Sequence, residues 1–206
     1  FSWICFGSQA REEQTLHSDQ DNGLLLPDEL TPGQYEYFAA MGRFVCEHLA
    51  LCGITKCPGH IMASEPQCCL SISHWLAKFS HWIKSPSPSA ILNCKIFFDL
   101  RFVEGSNELY KSFTQKLSDM SKDQIFFASM ATDINNNSVP IGLFNQFKLE
   151  RTEQKHKYLD LKKRGVVIIN DIVRLYALNS GVKAANTVER VDALVKILPH
   201  NKKDLY

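Results

Sequence analysis

The sequence lacks several features that would assign it to a specialised class of protein. Its 206 residues include 23 Lys and Arg against 22 Asp and Glu, so neither sign of charge dominates. This balance excludes a strongly basic nucleic-acid-binding protein and an acidic disordered tail. No apolar run approaches the roughly 18 residues that a membrane-spanning helix needs. We therefore expect neither a nucleic acid nor a membrane as a partner.

The seven cysteines also lack the spacing of a metal or redox motif. None of them forms the C-x-x-C pair that is typical of zinc ribbons and redox sites. No basic segment followed by an apolar block marks a secretory signal peptide. These absences predict reduced thiols and a cytoplasmic location. The chain starts without Met, inside the apolar run from Phe1 to Phe6, and we interpret it as a part of a longer protein.

Three short apolar runs predict the strands of a small mixed sheet. Residues 1–6 form the first run, which ends at Gly7-Ser8, and Asn22 to Leu26 form the second. Apolar runs of this length between turn residues are typical of buried strands. The third run lies within residues 91–103, and its alternation after Phe98 predicts a strand with one polar face.

The remaining patterns predict helices. We expect them at residues 31–52, 71–83, 106–120, 122–134, 141–150, 166–180 and 187–198. In the helix at 31–52, seven residues follow the rhythm of one face: Tyr37, Ala40, Met41, Phe44, Val45, His48 and Leu49. Trp75, Phe79 and Trp82 form a stripe that we interpret as core. The predicted fold class is α/β (α+β), with helical insertions between the second and third strands and a mostly helical C-terminal part.

Three aspartates are the best candidates for chemistry. Asp19 and Asp21 are two residues apart, and side chains at i and i+2 of an extended backbone point to one side. Asp99, from the third strand, is placed to join them. Clustered carboxylates repel one another unless a cation lies between them, and Mg²⁺ prefers such oxygen ligands. With Gly7-Ser8 as a phosphate-binding turn, this set predicts metal-assisted phosphoryl or nucleotidyl transfer.

Simpler interpretations of the same residues stay open. The segment from Ser18 to Gly23 is also ordinary turn chemistry. A calcium loop that starts at Asp19 fails, because Leu30 occupies position twelve, where a glutamate belongs. Asp99 could be a strand-end aspartate paired with Arg101 or a lysine. The basic run Lys162-Lys163-Arg164 reads as a solvated turn.

The combination of motifs resembles one known family. The segment from Gly7 to Asn22 resembles the signature of the polymerase-β-like nucleotidyltransferase superfamily. It is similar, more narrowly, to a bacterial family of nucleotidyltransferases related to the uridylyltransferase of the nitrogen-regulatory PII protein. Further matching blocks are Cys57 to Ser64, Ile96 to Arg101, His156 to Leu178 and Asn186 to Arg190. Members often carry cyclic-nucleotide-binding and CBS domains ahead of this region, so the resemblance implies N-terminal regulatory domains in the full-length chain.

The resemblance implies a role for each candidate residue. Asp19, Asp21 and Asp99 would be the catalytic carboxylates that hold Mg²⁺, with Asp99 also a candidate general base. Gly7, Ser8 and Arg11 would bind the phosphates of a nucleoside triphosphate. The acceptor, a protein or a small molecule, stays undefined. Residues 1–134 would be the catalytic domain, and residues 139–206 a helical substrate-binding domain that we expect to be truncated.

The chain departs from the family pattern at three positions. The family usually has glycine where this chain has Ala10 and His60, and often a basic residue where it has Glu12. Two other functions therefore stay open beside uridylyltransferase-like nucleotidyl transfer in signal transduction. One is a regulatory module that senses a nucleotide without transferring it. The other is an interaction domain in which the three aspartates are structural.

Overall fold

A computed structural model of the chain describes residues 1–137, 141, 146–147, 149–151 and 156–198. Its main sheet has four strands in the order β3-β2-β1-β4. They are β1 (Ser2–Phe6), β2 (Asn22–Leu26), β3 (Cys69–Ser71) and β4 (Leu100–Gly105). β1 pairs antiparallel with β2 and with β4, whereas β2 pairs parallel with β3. The predicted small mixed sheet and the α+β class are therefore confirmed.

Helices surround this sheet. They are α1 (Gly7–Ala10), α2 (Pro32–Leu51), α3 (Ile72–Lys84), α4 (Pro88–Phe97), α5 (Asn107–Met120), α6 (Gln124–Asn136), α7 (Val167–Asn179) and α8 (Thr187–Ile197). A 3₁₀ turn (Pro66–Cys68) precedes β3, and a π-helical turn (Lys162–Val166) leads into α7. β5 (Glu150–Arg151) and β6 (Lys157–Tyr158) form a separate antiparallel pair. None of the helices in the described part of the chain is long and apolar enough to cross a membrane.

The central strands are buried on both faces, which explains their continuous apolar sequence. Ile4 and Phe6 face a core formed with the helices from α3 to α6. Trp3 and Leu24 face a second core, to which α2 contributes Cys46. The predicted stripe on α3 is confirmed as core, and Lys78 lies over its ring system at 4.9 Å from the centre of the Trp75 ring.

The helix α2 is confirmed, but its predicted face is buried only in part: Met41 and Val45 pack against the second core. Tyr37 and Phe44 are 66% and 62% exposed, whereas Gly42 and Cys46 are buried. A Cβ at Gly42 would lie 2.3 Å from the Ala63 carbonyl oxygen. Helix α2 therefore approaches the loop around Ala63 most closely at Gly42, its smallest residue. This close approach decides which face of the helix is buried.

Two further predictions need correction. The third apolar run is a helix up to Phe97, and only Leu100–Gly105 is a strand. The helix starts at Pro88 and is capped by Ser87. Asp99 therefore precedes β4 instead of lying within it. The helix predicted at 141–150 is wrong at its described positions, where Ile141 bridges to Phe147 and Glu150 belongs to β5. Its other positions lie outside the described residues.

Candidate nucleotidyl-transfer site

The carboxyl end of β1 organises the candidate site. Directly after Phe6 the chain turns into α1, and Gly7 takes a φ of +55° that favours glycine. The Phe6 amide donates to the Asp21 carbonyl oxygen (2.9 Å), and the Gly7 amide donates to the Asp99 carbonyl oxygen (3.0 Å). The backbones of the two candidate aspartates thus lie on opposite sides of β1, one before each neighbouring strand. The predicted strand-to-helix turn at Gly7-Ser8 is confirmed.

Alternation along the segment before β2 directs Asp19 and Asp21 to the same side. Between them, Gln20 is 1% exposed, and its Nε2 donates to the carbonyl oxygens of Cys46 and Ile54 (2.9 Å each). Gln20 therefore anchors the segment inward, and the two half-buried carboxylates share the opposite side. This agrees with the i, i+2 argument from the sequence.

A cysteine, not Asp99, completes this cluster. One ligand atom each from Asp19, Asp21 and Cys57 lies within 4.8 Å of the others. Burial raises the pKa of Asp21 to about 6, with a further increase from Asp19, against the lowering effects of Cys57, Arg11 and Lys162. Burial likewise raises the pKa of the Cys57 thiol to about 12. The cluster is thus two carboxylates beside a protonated thiol.

Two residues of this site were missed by sequence reasoning. Cys57 begins a segment that resembles the family, but it lies 36 residues after Asp21, so spacing alone could not pair the two residues. Lys162 was read as solvated, and it is exposed. It begins the π-helical turn, however, and lies near enough to lower the pKa of Asp21. π-Helical turns occur frequently at functional sites, and this was the signal available from the fold.

Asp99 has a different environment, which we call the arginine cage: Asp99 with Arg11, Arg174 and Arg190. Arg174 binds both carboxylate oxygens, at 2.9 and 2.5 Å. Arg190 donates to Oδ1 (2.6 Å) and Arg11 to Oδ2 (2.6 Å). The Asp99 side chain has no exposed surface. Burial by itself would raise the pKa of Asp99, but the three guanidinium groups outweigh burial and lower that pKa.

The cage leaves Asp99 with no free lone pair for a metal ion. A carboxylate offers about four lone-pair sites, and four N–H groups fill them here. The structure therefore does not bring Asp99 into the ligand group of Asp19 and Asp21. The simpler interpretation of a paired aspartate is confirmed, but not its partner: Arg101 instead donates to the carbonyl oxygens of Gln9 and Ala10.

The cage also joins the two parts of the chain. Arg174 donates to Asp171 (2.6 Å), and Asp171 in turn contacts Lys95 (2.7 Å). Lys95 also pairs with Asp133 of α6. Paired opposite charges therefore link the turn before β4 to α6 and α7. The pairing compensates part of the cost of burial at Asp99, Arg174 and Asp171, whereas Asp133 is partly exposed.

The Arg11 loop is held by the same C-terminal helices. Arg11 Nε donates to Glu13 (2.8 Å), and its carbonyl oxygen accepts from Asn186 (2.6 Å). Glu13 also accepts from Asn170 (3.2 Å). The Arg11 side chain is 12% exposed. The Arg11 side chain, which we expect to contact phosphate, therefore already donates to the carboxylates of Glu13 and Asp99.

Two of the departures from the family pattern have a backbone consequence. His60 has a φ of +55° and Glu12 a φ of +60°, both in the left-handed region. Glycine adopts that region at little cost, which fits the family's glycine at the position of His60. The third departure, Ala10, is buried at the end of α1.

We expect Gly7→Ala to disturb the cluster directly. The new Cβ would lie 3.3 Å from Asp21 Oδ2, and its backbone conformation is strained for a residue with a side chain. Left-handed backbone costs a non-glycine residue about 1–2 kcal/mol. Urea denaturation of the variant should show a loss of that order. Gly33→Ala is the matched control, because nothing lies within 4 Å of its Cβ, and an equal loss there would contradict the argument.

Cavity volume does not identify the site. A cavity of about 70 Å³ lies between α5 and the connection from α7 to α8, where Arg190 borders it. Three further cavities have volumes of about 390 to 580 Å³, the size of a pocket for a small ligand. Neither Asp19 nor Asp21 lines any of these four cavities. The candidate site is therefore defined by its charged groups at the surface.

Comparison with protein families gives two matches that together cover most of the chain. Residues 1–89 match the model described as putative nucleotidyltransferase DUF294. Residues 124–204 match the model described as the putative nucleotidyltransferase substrate binding domain of that family. Asp99 lies between the two matched ranges, and α6 lies within the second. The division that we predict between residues 134 and 139 stays a prediction.

Searches of curated proteins and of solved structures gave no significant match. The two family matches carry the assignment, because they occur in one chain and in this order. The first contains β1, α1 and the Asp19-Asp21 pair, and the second contains α7 and α8. The chain belongs to the putative nucleotidyltransferase family DUF294.

Proposed function

We propose that the protein transfers a nucleoside monophosphate from a nucleoside triphosphate to a hydroxyl group of a protein or a small molecule. The observation that carries this proposal is the pairing of Asp19 and Asp21 beside the Gly7-Ser8 turn. Family membership supports the reaction class. A signalling role, with uridylyltransferase-like specificity and N-terminal regulatory domains, belongs to the same proposal. The seven unpaired cysteines fit a reducing, cytoplasmic environment.

The donor set fits Mg²⁺ at two of its positions. Asp19 and Asp21 supply partly exposed carboxylate oxygens, and Mg²⁺ in proteins is commonly held by one or two carboxylates plus substrate phosphates. When bound, the ion would neutralise the charge that develops on the phosphates. The same carboxylates repel each other without a cation, as the raised pKa of Asp21 indicates after burial is taken into account.

The chain's own residues would bind and orient the nucleotide. Gly7 and Ser8 lie at the turn next to the carboxylates. The Gly7 amide already donates to the Asp99 carbonyl oxygen, so the hydroxyl of Ser8 would be the donor to the phosphate oxygens. Lys162 would face the phosphates from the C-terminal part, and we propose it as an addition to the predicted set. Arg11 would contribute positive potential from its place in the arginine cage. Such positioning is the main source of catalysis in phosphoryl transfer.

The arginine cage supports a second candidate function. Asp99, expected as metal ligand and general base, is saturated by guanidinium groups. In this arrangement it positions Arg11 and cannot accept a proton from an acceptor hydroxyl. A module that binds a nucleotide without transferring it would need only Asp19 and Asp21. Pyrophosphate release in the presence of candidate acceptors separates the two functions.

The first test is thermal denaturation with nucleoside triphosphates, with and without Mg²⁺. A ligand at 100 times its dissociation constant adds about 2.7 kcal/mol, a shift of several degrees for a chain of this size. We expect this shift to need Mg²⁺ and to be lost in the Asp19→Asn/Asp21→Asn variant. Asp119→Asn, at an exposed carboxylate of α5, is the matched control and should retain the shift. No Mg²⁺-dependent shift with any nucleotide would contradict the proposal.

A further inference from the structure

The third group at the metal cluster is a thiol, and this changes which cation the cluster suits. Cys57 Sγ lies within 4.8 Å of a carboxylate oxygen of both Asp19 and Asp21. Cys57 is 8% exposed, so the sulfur lies at the inner side of the half-buried carboxylates. Two oxygens and one sulfur from two separate segments converge here, and the two carboxylates are partly exposed to solvent.

Mg²⁺ coordinates sulfur ligands poorly. It is a hard cation that takes oxygen ligands, whereas thiolates select softer ions such as Zn²⁺. Zn²⁺ accepts sulfur and carboxylate ligands together, and three protein ligands plus one open position are the usual arrangement of its reactive sites. The donor set of Asp19, Asp21 and Cys57 meets this requirement.

The backbone around Cys57 holds the sulfur in place. The His60 amide donates to the Cys57 carbonyl oxygen (3.0 Å), which closes the Cys57–His60 turn. The Asn22 amide, next to Asp21, donates to the Ile61 carbonyl oxygen (3.1 Å). The Asn22 side chain also accepts from the Ala63 amide (2.8 Å). The loop that carries Cys57 is thus tied to the segment that carries the two aspartates.

We propose that Asp19, Asp21 and Cys57 form a binding site for a thiophilic divalent cation of the Zn²⁺ class, which competes with Mg²⁺ for the two carboxylates. The inference rests on the proposed function in that both ions share Asp19 and Asp21. On binding, the Sγ–H bond breaks, an Sγ–metal bond forms, and the proton passes to solvent. Occupation by such an ion displaces Mg²⁺ and therefore prevents binding of the Mg²⁺–nucleotide complex.

Co²⁺ is the probe that tests this site, because thiolate–cobalt bonds give a charge-transfer absorption band in the near ultraviolet. We expect one equivalent of Co²⁺ to produce the band in the reduced, full chain and Zn²⁺ to remove it. Cys57→Ser should abolish the band. Cys52→Ser, at the exposed cysteine of the same region, should leave it unchanged. A band that persists in Cys57→Ser, or no band in the unaltered protein, would overturn the inference.

Two further variants test the site independently, so that the test does not depend on the folding of Cys57→Ser. Asp19→Asn and Asp21→Asn each replace an anionic carboxylate ligand by a neutral amide at a half-buried position, and we expect each to weaken Co²⁺ binding at least tenfold. Undiminished binding in both would overturn the inference. The Mg²⁺–nucleotide thermal shift is read separately: its absence alongside a cobalt band refutes the proposed function alone. Its presence without a band refutes only the thiophilic site.

Discussion

Asp99→Asn is expected to lower the free energy of unfolding by about 3–5 kcal/mol, the usual cost of removing one partner from a buried ion pair. The substitution leaves Arg11, Arg174 and Arg190 without their shared anion, and Arg174 and Arg190 are almost fully buried. Their charges then repel one another in a region from which water is excluded. Urea denaturation at pH 7, followed by circular dichroism, measures the loss.

The pH dependence of this effect has a definite sign. The pKa of Asp99 in the folded chain lies below its ordinary value of 3.8. The stabilisation is therefore fully present above pH 3.8 and is lost as pH falls through the folded-state pKa. The variant should lack this acid-dependent loss. Asp119→Asn, a surface carboxylate, should change stability by less than about 0.5 kcal/mol. Equal urea midpoints for Asp99→Asn and the unaltered protein would refute the structural role of the cage.

Unlike Asp99→Asn, Asp21→Asn is expected to raise the free energy of unfolding of the metal-free protein at neutral pH, by on the order of 2–3 kcal/mol. The pKa of Asp21 is raised to about 6, chiefly by burial and then by Asp19. Each unit of pKa shift corresponds to about 1.4 kcal/mol. The charged carboxylate is therefore destabilising in the folded chain, and a neutral amide of the same shape removes that cost. The same variant should lose Mg²⁺–nucleotide binding.

The stabilisation by Asp21→Asn should depend on pH with a definite sign. A carboxylate with a raised pKa costs nothing below its unfolded value of 3.8, and the cost grows as pH rises toward 6. The stability difference between variant and unaltered protein should therefore appear between pH 4 and pH 6 and be complete above it. Urea midpoints at pH 4 and pH 7 measure the difference. Glu36→Gln, at an exposed carboxylate of α2, should show no such change, and a parallel gain there would contradict the argument.

The two variants together distinguish a binding carboxylate from a structural one. A group that serves a ligand is commonly left destabilised in its absence, whereas a structural group is compensated within the chain. Asp21 has the first property and Asp99 the second. The sequence places both in one triad, whereas the structure separates their surroundings, and stability measured together with ligand binding tests that separation.

Much of the fold followed from local patterns. β1 and β2 were predicted because each is a short apolar run, ended by Gly7 and by Pro27, and the structure buries both strands along their whole length. α3 was predicted because Trp75, Phe79 and Trp82 repeat at helical spacing. α4 was missed because the apolar run within residues 91–103 predicts a strand, although Pro88 stands at the first helical position after Ser87, where proline is favoured.

The sequence by itself determined the Asp19-Asp21 pair, since side-chain direction along an extended segment depends only on position, and it determined the Gly7-Ser8 turn for a similarly local reason. The tertiary structure alone decided the surroundings of these residues. Asp99 pairs with Arg174 and Arg190, which are 75 and 91 residues away, and Cys57 enters the cluster from another loop. Such partners are chosen by how helices pack and by the need to neutralise buried charge, and neither condition is visible in a local pattern of residues.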